Sequence, residues 1–418
     1  MDKEVKMPFL NKLNIFSYVD DNVSLLYAPL SGFVAQATAE EMLQLEAEAA
    51  AGHSSDTLDM LCDSDVVVLH TALPSTITEL TILLNQICNF SCFYCYSSKG
   101  REKAVLSREK LHILLHEFIT KERGNRLSLV FSGGGDPVLS FDIFRDAVLY
   151  AEDRAAAQGI QVDVSIVTNG STLTDEYVRF IREHQIGLVV SFDILEEVHN
   201  KQRSHYDVVA STIDYLCDND IPFGLRATIT PLNVCRQEEM VEELHRRFPK
   251  VKSAAFEAVL NKNLFDSVAQ LNDFYLDFQT HLFRAMALGR SFGIMIGNTV
   301  VDNVNCCKQR ACLGKLVATP FGKLTACSRL SSDKEEHFQN FVYGSIAEDH
   351  LAVDNEKYHQ IMQHNNEVAG CSSCIAKWHC SGGCLLARYT LPDNYMEAYC
   401  QFMRRMTVNV LMEQINEE

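Results

Sequence analysis

The sequence predicts an α/β chain built on parallel strands, and three observations carry that reading. Between about Glu79 and Leu260, six short apolar runs alternate with segments of helical spacing. Capping residues bracket several of these segments: Ser107 and Thr174 stand at N-cap positions, and Gly159 and Gly187 fall just past the expected helix ends. A strand–helix unit repeated six times needs crossovers, and right-handed crossovers build a parallel sheet or barrel.

Taken in order, residues 1–78 differ in pattern from the rest of the chain. YAPLSGFVAQ (27–36) reads as a hairpin turning at Pro-Leu-Ser-Gly, followed by helix-like AEEMLQLEAEAAAG (39–52) and a later VVVLH (66–70). This segment is expected to be a small α+β domain or, with nearly equal weight, an extra layer packed on the core. The six strands are expected at LTILLN (80–85), LSLVF (127–131), VDVSIVTN (162–169), GLVVSFD (187–193), FGLRATIT (223–230) and VKSAAFEAVL (251–260). Helical spacing marks 107–122, 140–159 and 174–185, and residues 264–290 read as one long helix. Beyond about Asn298 periodicity weakens while glycine and cysteine become frequent, as in a segment ordered by metal. The expected domains are therefore 1–78, 79–297 and 298–418.

Composition narrows the function. The chain has 418 residues, of which 47% are hydrophobic, ample for a large core. A formal charge of −18 argues against nucleic-acid and anionic-membrane partners, which need clustered Lys and Arg. The opening MDKEVKMPFLNKLNIF lacks an apolar core with a cleavage site, and no run approaches the roughly 18 apolar residues of a membrane span. A cytoplasmic protein is expected. Its fifteen cysteines then point to metal rather than to disulfides.

Three of those thiols, Cys88, Cys92 and Cys95, lie in CNFSCFYC directly after the first strand. Ligands gather at the C-terminal ends of parallel strands, so this loop falls where chemistry is expected. Thiolates favour zinc or iron–sulfur clusters. A four-iron cubane needs four ligands, so three cysteines leave one iron open to a small molecule.

With Tyr94 before its last cysteine, this motif resembles that of the radical S-adenosylmethionine (radical SAM) enzymes, and the resemblance extends over roughly 80–260. It implies a partial (β/α)6 barrel in which the cluster's open iron chelates S-adenosyl-L-methionine. Reductive cleavage of that cofactor would give a 5′-deoxyadenosyl radical that takes hydrogen from a substrate. The glycine-rich strand end FSGGGDP (131–137) resembles the family's site for the methionine amino group, through Gly134, Gly135 and Asp136. Asp136 departs from the family's more usual glutamate. Glycines are expected there because they let backbone approach a ligand closely. By the same resemblance Tyr94, Asn169 of TNG, Ser191 and Asp193 of SFD and Arg226 of LRATIT face the cofactor, Arg226 as a fork onto a carboxylate. His199 and Arg203 also resemble a family element, with no chemistry assigned to them.

Toward the C-terminus, nine residues lead from Cys312 to Gly322 and four more to Cys327; Cys371, Cys374, Cys380 and Cys384 follow with gaps of two, five and three, and Cys400 closes the set. This seven-cysteine pattern resembles the SPASM domain of radical SAM enzymes that act on peptides and proteins. The simpler alternative is a zinc ribbon, which Cys371 and Cys374 alone would fit. The resemblance implies two auxiliary [4Fe-4S] clusters, three in all. One takes Cys306 (or Cys307), Cys312, Cys327 and Cys384; the other takes Cys371, Cys374, Cys380 and Cys400. The gap of five between Cys306 and Cys312 favours Cys306. Full ligation implies electron transfer and architecture as the clusters' roles. Cys62, Cys217, Cys235 and the spare of the 306/307 pair are expected to be ordinary buried residues.

The resemblance leaves two reactions in play: maturation of a ribosomally made precursor peptide by a crosslink, thioether or epimerisation, or oxidation of a sulfatase residue to formylglycine. Sulfatase maturases resemble one another in an aspartate directly after the second SPASM cysteine; here Cys327 precedes Ser328, a poor general base. Many peptide maturases carry a leader-binding domain like the one expected at 1–78, which receives the leader as an added strand. The favoured expectation is a peptide maturase with a precursor-peptide substrate and a reductant protein such as flavodoxin or ferredoxin. No catalytic acid or base is identified.

Overall fold

In the computed structural model, which describes residues 7–19, 23–99, 101–363 and 370–417, the N-terminal segment forms a three-stranded antiparallel sheet. Residues 1–6, on which some of the expectation about targeting rests, lie outside the described residues. Strands β1 (Phe16–Val19), β2 (Ser24–Ala28) and β3 (Phe33–Gln36) pair in that order, and the expected hairpin is the β2–β3 turn. Helices Ala39–Ala51 and Asp56–Cys62 follow, the first opened by a reciprocal capping box between Thr38 and Glu41.

The two expectations for this segment each describe one face of it. Side chains alternate across a strand. Leu26 and Ala28 point into a small core of their own with Met42 and Leu58. Leu25 and Tyr27, on the opposite face, pack with Phe16 against Val304, Val408 and Leu411 near the other end of the chain. The segment has its own core and is also a layer, laid on the C-terminal region. Its last strand, β4 (Val68–Leu69), is tied there as well, pairing in parallel with β12 (Cys307–Lys308).

Each of the six apolar runs forms a strand: β5 (Glu79–Ile82), β6 (Arg126–Phe131), β7 (Gln161–Thr168), β8 (Gly187–Ser191), β9 (Gly224–Ile229) and β10 (Ser253–Ala258). They pair in parallel in chain order, with β11 (Met295–Gly297) added beyond β10, so the α/β open barrel is present. Helices Arg108–Phe118, Phe141–Gln158 and Asp175–Glu183 fill the crossovers. Ser107 and Thr174 accept N–H bonds from Lys110 and Tyr177, as N-caps should. Gly159 ends its helix in the left-handed region, whereas Gly187 does not. Gln185 takes positive φ there, and Gly187 begins β8, where a Cβ would sit 3.4 Å from that of Ser165. The long helix runs Val268–Phe292 between Ser267 and Gly293.

The sheet crosses the expected boundary at 298. Strand β13 (Leu316–Ala318) pairs in parallel with β5, and β14 (Lys323–Thr325), β15 (Val342–Ile346) and β16 (Leu351–Val353) continue antiparallel into one 11-stranded sheet. The region also holds a helix that weak periodicity did not suggest, Asp393–Glu417. It lies along Val268–Phe292, with Tyr275 and Phe402 stacked at 4.4 Å. Among the described residues no helix is long and apolar enough to cross a membrane.

Candidate metal centre

The cysteine loop is held at the top of the barrel by backbone bonds from the next strand. Past β5 the chain runs through Asn85 and Ile87 to Cys88. Gly135 N–H donates to the Asn85 carbonyl at 2.8 Å, and Asp136 N–H donates to that of Ile87 at 2.7 Å. The Asn85 side chain completes the clamp, donating to Asp136 O and Ser140 Oγ, each at 2.9 Å. A Cβ on Gly135 would lie 2.2 Å from Ile87 O, and one on Gly134 would lie 2.5 Å from Asn85 O at a φ of +69°. The missing Cβ atoms of these two residues therefore make room for the chain's own backbone. The expected close approach is real, but it positions the loop that carries the cysteines.

Asp136 is likewise turned inward. Its carboxylate accepts from Thr168 Oγ1 at 3.0 Å, Asn169 N–H at 2.7 Å and Val138 N–H at 3.0 Å. It thus locks the end of β6 to the end of β7. The Asn169 side chain then donates to Asn89 Oδ1 at 2.9 Å and points toward Cys88 Sγ at 3.9 Å. Asp193 has the equivalent role at the end of β8. Fully buried, it accepts from Tyr94 O–H at 2.8 Å, Gln202 Nε2 at 3.0 Å and Thr228 N–H at 2.9 Å. Arg203 donates to Tyr94 Oη at 2.6 Å. Both carboxylates and the tyrosine hydroxyl are thus engaged within the protein, and each anchors backbone at the barrel mouth. Burial pushes both carboxyls above the usual carboxylate range, against the pull of their hydrogen bonds and Arg203.

Ser191, the last residue of β8, is the register partner of Arg226 in the middle of β9. Arg226 is exposed on β9, and among the described residues it makes no ion pair. It lies near Tyr96, which directly follows Cys95.

The thiols fall into three groups. Cys88, Cys92 and Cys95 are near enough for their charges to interact, and burial pushes the Cys92 thiol up to about 11. Arg101 braces this loop, donating to Cys95 Sγ at 3.4 Å and to the Phe90 carbonyl at 2.6 Å. Cys312, Cys327 and Cys384 interact with one another and line a common cavity. Cys371, Cys374, Cys380 and Cys400 form the third group. Burial raises Cys327 and Cys380 to about 12, so the thiols there would stay protonated until a binding metal displaces their protons to solvent.

Cys306 and Cys307 separate. Cys307 is buried, and its thiol donates to the Pro29 carbonyl at 3.4 Å. Cys306 shares Lys308 with Cys312. Of the other cysteines expected to be buried, Cys62 and Cys235 are exposed and Cys217 is half-buried.

These observations test whether the chain fits iron–sulfur clusters. All fifteen cysteines are unbridged, and soft thiols gather in groups of three, three and four. Among the described residues no three His, Cys, Asp or Glu side chains converge as ligands of one ion would. A cluster spreads its thiolates over separate irons, so grouped but unconverged thiols suit it. Ser97 Oγ, buried two residues past Cys95 without a partner, is a further polar atom at the loop. The donor set fits.

Sequence reasoning missed Arg101, Gln202 and the Asn85 clamp. Asn85 carried a signal, being the polar residue that ends an apolar strand run; Arg101 and Gln202 carried none.

Comparison with known proteins agrees with this geometry. Residues 82–245 match the model of the radical SAM superfamily. The chain is 23% identical over 344 residues to the serine-type anaerobic sulfatase-maturating enzyme of Klebsiella aerogenes, covering 75% of this chain and 81% of that protein. Among solved structures, native anSMEcpe with bound AdoMet superposes with a TM-score of 0.66 at 17% identity, covering 81% of this chain and 100% of that one. Streptococcus suis SuiB bound to precursor peptide SuiA superposes at 0.55 with 14% identity, covering 92% and 97%.

Proposed function

Because residues 82–245 form a radical SAM superfamily domain, we propose that this enzyme is a cytoplasmic maturase of a ribosomally made precursor peptide. The observation that carries the reading is the two-faced N-terminal sheet. One face has its own core, and the other is fastened to the region of the auxiliary thiols. Tyr27 Oη and His379 Nε2 are 2.8 Å apart, and the other nitrogen of His379 meets the Cys306 carbonyl at 3.1 Å. Within the described residues β1 and β3 each pair only with β2, which leaves an outer edge for a leader strand. Residues 1–78 would then hold the leader, 79–297 the radical chemistry and 298–418 the auxiliary clusters.

Cys88, Cys92 and Cys95 would hold the first cluster. Cys306, Cys312, Cys327 and Cys384 would hold the second, and Cys371, Cys374, Cys380 and Cys400 the third. When bound, the first cluster, reduced by a flavodoxin- or ferredoxin-like protein, supplies the electron that cleaves S-adenosyl-L-methionine to a radical. The chain's own residues bind and orient. Backbone at Gly134 and Gly135 offers polar atoms to the methionine amino group, while Ser191 and Arg226 receive its carboxylate. Asp136, Asp193 and Tyr94 fix the three strand ends from behind, and Asn169 steers Cys88.

The sulfatase reading is the second one, favoured by the likeness to the Klebsiella aerogenes enzyme. Ser328 weighs against it, since a lone serine cannot take the proton that an aspartate would. The test uses protein reconstituted without oxygen, with S-adenosylmethionine and reductant. It is given either short peptides encoded beside its gene or a sulfatase peptide with its target cysteine or serine. Modification of an adjacent-gene peptide, read by mass spectrometry, is the expected result. An aldehyde on the sulfatase peptide, with the others untouched, overturns it.

A further inference from the structure

An unclaimed arginine stands beside the radical site. In a chain of net charge −18, arginines such as Arg126, Arg236 and Arg247 are paired with carboxylates. Arg226 and Arg329 are among those that, within the described residues, meet no carboxylate, and both approach Tyr96. Arg329 stacks over the Tyr96 ring at 5.3 Å and uses one nitrogen on the Leu260 carbonyl at 3.2 Å, so most of its donors remain available. It also lines a pocket between the end of β10 and the C-terminal helices, with Phe265, Leu271, Tyr275 and Leu391 as apolar walls. Lys262 is the second cation at its rim, and no lining residue is acidic. In so acidic a protein, a cation-bearing, acid-free pocket is complementary to an anion.

We propose that Arg329, at the edge of this small pocket, is a specificity residue for the substrate peptide and receives an Asp or Glu side chain. This rests on the peptide-maturase reading and deepens it. Arg226 is committed to the cofactor carboxylate in that reading, which leaves Arg329 for the substrate. The planar fork of the guanidinium suits a carboxylate, and its stacking on Tyr96 presets its direction. The contact lies where Tyr96, adjoining Cys95, meets the segment following Cys327. A carboxylate anchored there places its neighbouring residues at the mouth of the barrel.

The test is affinity selection from a random octapeptide library, in free-acid and C-terminally amidated forms, on the reconstituted holoenzyme. Wild type should enrich Asp and Glu about 10-fold or more in both forms, the scale of a charge-assisted hydrogen bond. Arg329→Gln should abolish that preference, and Arg329→Glu should replace it with Lys and Arg. Iron content matched to wild type identifies variants that retain their clusters. Lys262→Glu, at an exposed position, should weaken the acidic preference, its fold checked by the same iron content, since Lys262 Nζ donates to the Thr390 carbonyl at 3.0 Å. The same residue preferences in wild type and all variants overturn this assignment alone, and enrichment confined to the free-acid library overturns the side-chain contact. No peptide retained by any protein overturns this site and the peptide reading together.

Discussion

Arg101 shows how much a single side chain contributes at the cysteine loop. Its two terminal nitrogens tie Cys95 Sγ to the Phe90 carbonyl, so a positive charge sits beside one thiolate of the proposed cluster. Hydrogen bonds to ligand sulfur raise a cluster's reduction potential by stabilising the more negative reduced state. Arg101→Leu should therefore move the first cluster to a more negative potential, read by redox titration followed with electron paramagnetic resonance. His199 offers a residue-scale pH test. Fully buried, with the Arg203 guanidinium nearby, it is held neutral, its pKa pushed down to about 3. The unfolded chain takes up that proton as pH falls below about 6.5, while the native state does not until about 3, so this residue's contribution falls over that window. The full loss is roughly 5 kcal/mol, the free-energy equivalent of the shift. His199→Phe should flatten the decline of the melting temperature between about pH 6.5 and 5 relative to wild type; parallel slopes would contradict it.

At the scale of elements, the 133–136 turn and the 85–87 stretch act as one unit because two glycines let them touch. Gly135→Ala must displace backbone, since its Cβ would sit 2.2 Å from Ile87 O. It should cost about 1–3 kcal/mol, as overpacking does, and depress 5′-deoxyadenosine formation. Gly297→Ala is the control: nothing lies within 4 Å of its Cβ, and its melting temperature should stay close to wild type. The six parallel strands and the caps at Ser107 and Thr174 were legible because apolar runs and N-cap chemistry are local signals. The glycine loop was legible as a site, but its packing against the 85–87 stretch was not, because those atoms lie about 50 residues earlier in the chain. Gly187 was misread because Gln185 accepts the positive φ instead. The helix Asp393–Glu417 escaped notice because it is gripped on several sides, by Tyr275, Val304 and Leu25 among others, which blurs a single apolar stripe. The gap of five between Cys306 and Cys312 already favoured Cys306, and the fold adds that β4 and Pro29 claim Cys307.

Across the whole molecule, the thiols join distant regions of the chain. The group of Cys312, Cys327 and Cys384 reaches over that of Cys371, Cys374, Cys380 and Cys400, so the two proposed clusters interleave. Reconstituted protein should hold about twelve irons, four for each of three clusters. Tight zinc at the C-terminal cysteines with about four irons in total would refute the two-auxiliary-cluster proposal. Cys384→Ala should retain some uncoupled 5′-deoxyadenosine formation but yield no modified peptide, because a ligand lost from one set loosens the other. Normal peptide turnover by that variant would refute the interleaved assignment.

The strand pair β5–β13 has a further consequence, for synthesis on the ribosome. β5 gains β6 as a neighbour soon after it emerges, but its other partner, β13, begins at Leu316. At about 5–20 residues per second, the roughly 230 residues between them take on the order of 10–50 seconds to make. Through that interval the strand leading into CNFSCFYC has one open edge, and strands with open edges recruit other chains. Slowing translation between residues 300 and 315 should then lower the yield of full-length protein that stays out of inclusion bodies, whereas the same pause placed after residue 353, once β16 has been made, should not.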